Sequence, residues 1–144
     1  MKNILLPIDF KGNEQLLLDK AYEIGEKFDS KVWLIHVAAP NPDFIGYDAG
    51  PQSIRDSRAE ELREEHKQIQ GFARSLNRKG LEADALLIQG TTVDTLIEKT
   101  EKLNIDLVII GRQTHGIFYK AIFGSVADSL VKKTKVPILI VPLD

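Results

Sequence analysis

Cysteine is absent from the 144 residues, and with it go disulfides, thiolate nucleophiles and cysteine-ligated metal centres. A reducing compartment is compatible with that absence. No apolar run approaches the roughly 20 residues that a membrane-spanning helix needs. Met1-Lys2-Asn3 leads straight into an apolar run, so no signal peptide is expected. Charge of one sign is missing too: 19 Lys and Arg stand against 21 Asp and Glu, for a net charge of −2. That balance offers no electrostatic footprint for nucleic acid or an anionic membrane. The nucleotide-binding spacing G-x4-G-K-[ST] does not occur. Nor do paired carboxylates, a serine–histidine pairing or histidines at metal-binding spacing that would compose a catalytic centre. The expectation is a soluble cytoplasmic protein whose work is binding rather than turnover.

What is present has the make-up of a globular domain. With 43% hydrophobic and 28% charged residues, the chain has the size and composition of a single domain over residues 1–144 with a core of its own. Its apolar residues fall into five short runs separated by amphipathic stretches. Ile4-Leu5-Leu6-Pro7-Ile8 is nearly unbroken, as in a strand covered on both faces. Pro7 has no N–H to donate and suits the end of that strand, since Asp9-Phe10-Lys11-Gly12-Asn13 is turn chemistry. Asn13 is a candidate N-cap for a helix carrying Leu16, Leu17, Ala21, Ile24 and Phe28.

Val32-Trp33-Leu34-Ile35-His36-Val37 reads as a second strand. His36 reads as a satisfied core or strand-end residue rather than a metal ligand. Residues 38–51 are rich in Pro, Gly, Asn and Asp and read as a lid or flap, pinned by Phe44 and Tyr47. A charged helix over 53–79 carries Ile54, Leu62, Ile69, Phe72 and Leu76 on one face with His66 on or near it, and Ser57 and Glu60 have capping-box spacing that would mark its start. Its Glu and Arg residues read as a solvated face, and Gly80 closes it. Residues 83–88 form a third strand, ending at Gln89-Gly90. Thr91 or Thr92 caps a helix through Val93, Leu96, Ile97 and Leu103 that stops near Asn104. Leu107-Val108-Ile109-Ile110 is a fourth strand, ending at Gly111. Ser125 and Asp128 have capping-box spacing at a last helix with Val126, Leu130 and Val131 as its stripe. Lys132, Lys133 and Lys135 sit at its C-terminal end, where the helix dipole favours cations. Ile138-Leu139-Ile140-Val141 is a fifth strand.

Strands alternating with crossover helices mean an α/β fold with a parallel sheet. In a doubly wound sheet, ligands lie outside the carboxyl ends of the strands where the strand order reverses. If strands one and four flank that reversal, Asp9 and Gly111 face each other across it. A carboxylate there accepts hydrogen bonds from a sugar hydroxyl or an amine. The glycine-containing stretch from Gly111 through Gly116 and Gly124 to Ser125 then either presents backbone N–H groups to a phosphate or merely turns the chain.

Taken together these residues resemble the universal stress protein family, over essentially the whole chain. The resemblance rests on Pro7-Ile8-Asp9-Phe10, His36-Val37, Gln89-Gly90, Asp106-Leu107-Val108-Ile109-Ile110-Gly111, Gly124-Ser125-Val126 and Val136-Pro137-Ile138-Leu139-Ile140-Val141. It implies a five-stranded parallel sheet of order 3-2-1-4-5 with helices on both faces, and homodimerisation through the C-terminal strand. It also implies ATP or a related adenine nucleotide as ligand, with Mg as a candidate companion, and a role in stress-response regulation. Pro7, Ile8, Asp9 and the backbone of Val37 would then lie at the nucleoside, Gly111 near the ribose, and Gly124, Ser125 and Val126 at the phosphates.

ATP-binding members carry a G-x2-G-x9-G-[ST] loop. Here its middle glycine is replaced by Thr114, and the nearest glycine, Gly116, comes two residues late. A β-branched residue forced to positive φ costs ~1–2 kcal/mol. Arg112, His115 and Lys120 read first as solvated surface residues and, as the alternative, as positive charge offered to phosphate by another route, with Phe118 and Tyr119 packed beneath the loop. The alternatives to nucleotide binding are a homodimeric interaction scaffold and, as a third reading, a slow nucleotide hydrolase.

Overall fold

The computed structural model describes residues 1–38, 52–112 and 126–143. In chain order they form β1 (Asn3–Pro7), α1 (Glu14–Phe28), β2 (Lys31–Ala38), α2 (Gln52–Arg78), β3 (Glu82–Gln89), α3 (Thr92–Lys102), β4 (Leu107–Arg112), α4 (Asp128–Lys133) and β5 (Ile138–Pro142). The strands make one sheet of order β3-β2-β1-β4-β5, and every neighbouring pair is parallel. Both the α/β class and the strand order implied by the resemblance hold. β1 is central, so Pro7 is tolerated because it is the strand's last residue.

A strand between two helical layers must be apolar on both sides, which is why β1 reads Ile4-Leu5-Leu6 without interruption and all three are fully buried. Alternation then divides the core in two. Ile4, Leu6, Val32, Leu34 and Ile109 pack with Leu17, Leu18 and Ala21 of α1 and Ile69, Ala73 and Leu76 of α2. Leu5, Ile35, Val108 and Ile110 pack with Leu96 of α3 and Leu130 of α4.

Several local expectations change in three dimensions. Leu16 and Phe28 of α1 are exposed, and so is Val131 of α4. Leu16, Leu17 and Leu18 are consecutive and span about 200° of helix, so burying the second and third turns the first outward. Asn13 precedes α1 as expected, but in a left-handed conformation (φ 64°) and without a side-chain cap. Thr91 precedes α3, likewise without a side-chain cap. Helix α2 begins at Gln52, so Ser57 lies inside it and is not its cap; His66 is exposed, off the buried stripe. Gly80 has φ +91°, the left-handed stop expected of it. β4 runs two residues further than its apolar run, through Gly111 to Arg112, because β5 continues to pair with it there.

Candidate functional site

Strand pairing marks where a doubly wound sheet has its crevice. β1 pairs with β2 as far as Pro7 opposite Ile35, and the Ile8 N–H extends the ladder by donating to the Ile35 carbonyl at 2.9 Å. On its other side β1 pairs with β4 only as far as Leu5 opposite Val108. β4 meanwhile stays with β5 to Arg112 opposite Pro142. The β1–β4 ladder therefore ends first, at the carboxyl end where the strand order reverses and where Pro7 has no N–H to donate. Counting the β1–β4 register onward sets Ile8 level with Gly111 and Asp9 level with Arg112.

The sequence-selected residues that the structure describes are placed as follows. Ile8 is buried and Asp9, the next residue, is exposed. Asp9 Oδ1 accepts the Lys11 N–H at 3.0 Å, an Asx turn that fixes the carboxylate at the mouth of the crevice. Phe10 follows with φ 59°, a left-handed conformation rare for a bulky residue. Its ring lies edge-on to His36, 4.6 Å between centroids, and stacks against Phe72 at 6.4 Å. In a parallel ladder the N–H and C=O of residues two apart point the same way. The Ile35 carbonyl faces β1, so the backbone of Val37 faces the space just beyond the end of β1.

Across the crevice, Gly111 lies within β4 rather than in a loop, and a Cβ on it would sit 2.5 Å from Leu143 Cδ1. Leu143 thus packs directly on Gly111, and a side chain at 111 would have to push the Leu143 tip aside. Arg112 ends the strand, and its Nε is buried with no hydrogen-bond partner among the described residues. A buried donor left in that state is costly unless an acceptor arrives. Val126 is half-buried where the chain enters α4 and packs against the α3/α4 core. Thr114, His115, Gly116, Phe118, Tyr119, Lys120, Gly124 and Ser125 lie outside the described residues, as do Phe44 and Tyr47 of the expected lid.

The structure also assembles a group that sequence reading did not. His36 Nδ1 lies 2.6 Å from the Ile8 carbonyl oxygen. On the other side of the ring, Nε2 lies 2.5 Å from Glu65 Oε2, with the two side chains only 14% and 16% exposed. A carbonyl accepts only, so Nδ1 carries a proton. His36 is a strand-end residue with a hydrogen-bond partner, as expected, but it has also acquired a carboxylate from α2. The signal was present: Glu65 stands four positions before Ile69 and falls on the same face as Ile69, Phe72 and Leu76. A charged residue on a core stripe calls for a partner.

Among the described residues no group of three or more His, Asp or Glu side chains is arranged to hold a metal ion. No helix among them is long and apolar enough to cross a membrane.

The profile of the universal stress protein family matches residues 1–142. The chain belongs to that family. One relative, a universal stress protein of Methanocaldococcus jannaschii, is 26% identical over 142 residues, covering 97% of this chain and 81% of the relative. Universal stress protein A of Escherichia coli is 28% identical over 146 residues, covering 99% and 94%. Among solved structures, the hypothetical protein MJ0577 superposes with a TM-score of 0.76 at 22% identity, covering 98% of this chain and 95% of that one. A universal stress protein solved in complex with cAMP superposes at 0.66 and 17% identity, covering 99% and 98%. One from Archaeoglobus fulgidus in complex with dAMP superposes at 0.66 and 15% identity, covering 97% of each chain. At such identities the structural likeness establishes a shared universal stress protein fold.

Proposed function

We propose that this universal stress protein binds an adenine nucleotide, ATP or a close relative, in the crevice between β1 and β4, and that occupancy of the crevice is its regulatory signal in a stress response. The observation that carries the reading is the early end of the β1–β4 ladder at the reversal of strand order. Asp9 stands at one wall to accept from ribose or base. The Val37 backbone faces the same space, as adenine recognition by main-chain groups requires. Arg112, at the end of β4, has a buried Nε without a hydrogen-bond partner among the described residues, and an anion is the complement of such a donor. Gly111, Gly124, Ser125 and Val126 would form the ribose and phosphate end, with Mg accompanying a triphosphate. Pro7 and Ile8 would line the nucleoside end. That two proteins of the same fold were solved with cAMP and dAMP agrees with the choice of an adenine nucleotide.

Titration with a fluorescent ATP analogue tests the reading. Saturable binding in the micromolar range, lost in Asp9→Ala and Gly124→Asp, is expected. No binding at millimolar concentration would leave the second reading, a homodimeric scaffold without nucleotide, which the Thr114 substitution in the glycine pattern favours.

The same proposal includes a cytoplasmic homodimer. β5 is an edge strand with Ile140 exposed, and an apolar edge of this kind is satisfied by a second copy. Light scattering should report a dimer that Ile140→Lys weakens. A monomeric wild type at high concentration overturns the dimer without touching the nucleotide site.

A further inference from the structure

Glu65 is a carboxylate placed where a core residue belongs. On α2 it shares a face with Ile69 and Leu76, both buried in the core beneath the helix, and its side chain is 16% exposed. Its Oε2 is buried and has no well-aligned hydrogen bond among the described residues, so what holds it there is the ion-pair contact with His36 Nε2. Burial of that kind carries a desolvation cost that its partner must offset. His36, for its part, spends its other ring nitrogen on the Ile8 carbonyl, the last backbone acceptor before Asp9. Phe10, held in a left-handed conformation, closes over the imidazole edge, and Phe72 of α2 backs Phe10. The end of β1, the end of β2 and the middle of α2 thus meet on a single imidazole.

We propose that His36 is a positioning residue for the nucleoside end of the crevice: its Nδ1–H fixes the Ile8–Asp9 peptide, and Glu65 holds the ring from α2. The role rests on the nucleotide reading of the crevice given above. β1 has no ladder pairing with β4 beyond Leu5, so among the described residues the backbone that carries Asp9 is oriented by β2, by this imidazole and by its own Asx turn to Lys11. A peptide plane free to rotate there would carry the Asp9 carboxylate with it. With Nδ1–H given to the Ile8 carbonyl, Nε2 is the ring atom that faces the Glu65 carboxylate.

Two substitutions at Glu65 in the full-length protein separate positioning from packing. Glu65→Met fills the same volume on an apolar stripe and keeps the fold, but cannot hold Nε2. Glu65→Gln donates its amide to an unprotonated Nε2 while Nδ1–H stays on the Ile8 carbonyl. In 1H–15N spectra of the ligand-free protein, the Asp9 and Phe10 amides should move in Glu65→Met and stay near wild type in Glu65→Gln. The imidazole 15N signals should show Nδ1 protonated in the wild type and in Glu65→Gln. ATP-analogue affinity should fall about tenfold in Glu65→Met and stay within about twofold in Glu65→Gln. If Met and Gln give the same amide positions and the same affinity as wild type, His36 positions nothing and the inference is overturned. If the wild type binds no nucleotide, the proposed function fails, and the amide comparison still decides whether His36 holds the Ile8–Asp9 peptide.

Discussion

Leu143 lies directly over Gly111. A Cβ at position 111 would be 2.5 Å from Leu143 Cδ1 and 3.0 Å from its Cγ, while the Leu143 N–H donates to the Arg112 carbonyl at 2.8 Å. The chain leaving β5 is thereby laid across the end of β4, and the glycine that sequence alone assigns to a ligand serves this packing whether or not it also serves a ribose.

Gly111→Ala should therefore destabilise the fold by about 1–2 kcal/mol through overpacking. Leu143→Ala removes the obstruction, so the double variant should lose less than the sum of the two single losses. Urea unfolding of the four proteins measures the coupling, and strict additivity would show that the contact is not the cause.

Asp106 ties the start of β1 to the start of β4. Its Oδ2 accepts the N–H groups of Lys2 at 2.8 Å and Asn3 at 3.0 Å, and these bonds, Asn3's foremost, hold the carboxyl below its ordinary range. A carboxyl lowered by folding contributes stability above its unfolded value, near pH 4, and loses it as pH falls through the folded value. Asp106→Asn keeps an acceptor and removes the charge. Because the side chain is exposed, the loss at pH 7 should be under about 1 kcal/mol. Below about pH 4 the stability gap between variant and wild type should close; parallel curves down to pH 2 would contradict the assignment.

Lys31 supports the chain's single tryptophan. Its Nζ lies 2.7 Å from Asp84 Oδ2, 3.5 Å from Glu82 Oε1 and 4.0 Å from the Trp33 ring centroid, and the Trp33 Nε1–H donates to Asn3 Oδ1 at 3.2 Å. The Asp84 hydrogen bond above all raises the ammonium's pKa. A raised lysine contributes fully below its unfolded value, near 10.4, and the contribution disappears as pH climbs through the higher folded value. Lys31→Met should cost about 1 kcal/mol at neutral pH and alter Trp33 emission. Lys31→Arg should restore both, and failure to do so would point to packing rather than charge.

Asn77 blunts one edge of the sheet. β3 is an edge strand, and Asn77 closes onto its second residue: Oδ1 accepts the Ala83 N–H at 3.0 Å and Nδ2 donates to the Ala83 carbonyl at 3.4 Å. Asn77→Ala leaves a nearly buried amide unmet, which should cost about 1–2 kcal/mol. Amide exchange at Ala83 should quicken, and if it does not, the edge is satisfied by something else.

The five strands, their helices and the α/β class are properties of the local pattern, because a strand covered twice must be apolar throughout and a helix covered once must alternate. Asp9 at the end of β1 and the left-handed stop at Gly80 are equally local, since turns are set by the residues within them. Periodicity marks a face, however, without saying where its border falls or what will lie opposite. Leu16 and Val131 sit just past those borders and stay in solvent; Gly111 is absorbed into β4 because β5 keeps pairing beside it. Glu65 and His36 stand 29 positions apart in sequence, and nothing in either neighbourhood announces the other. Only the stacking of α2 on β2 brings the carboxylate to the imidazole, and only the order of the sheet sets the end of β1 beside the end of β4.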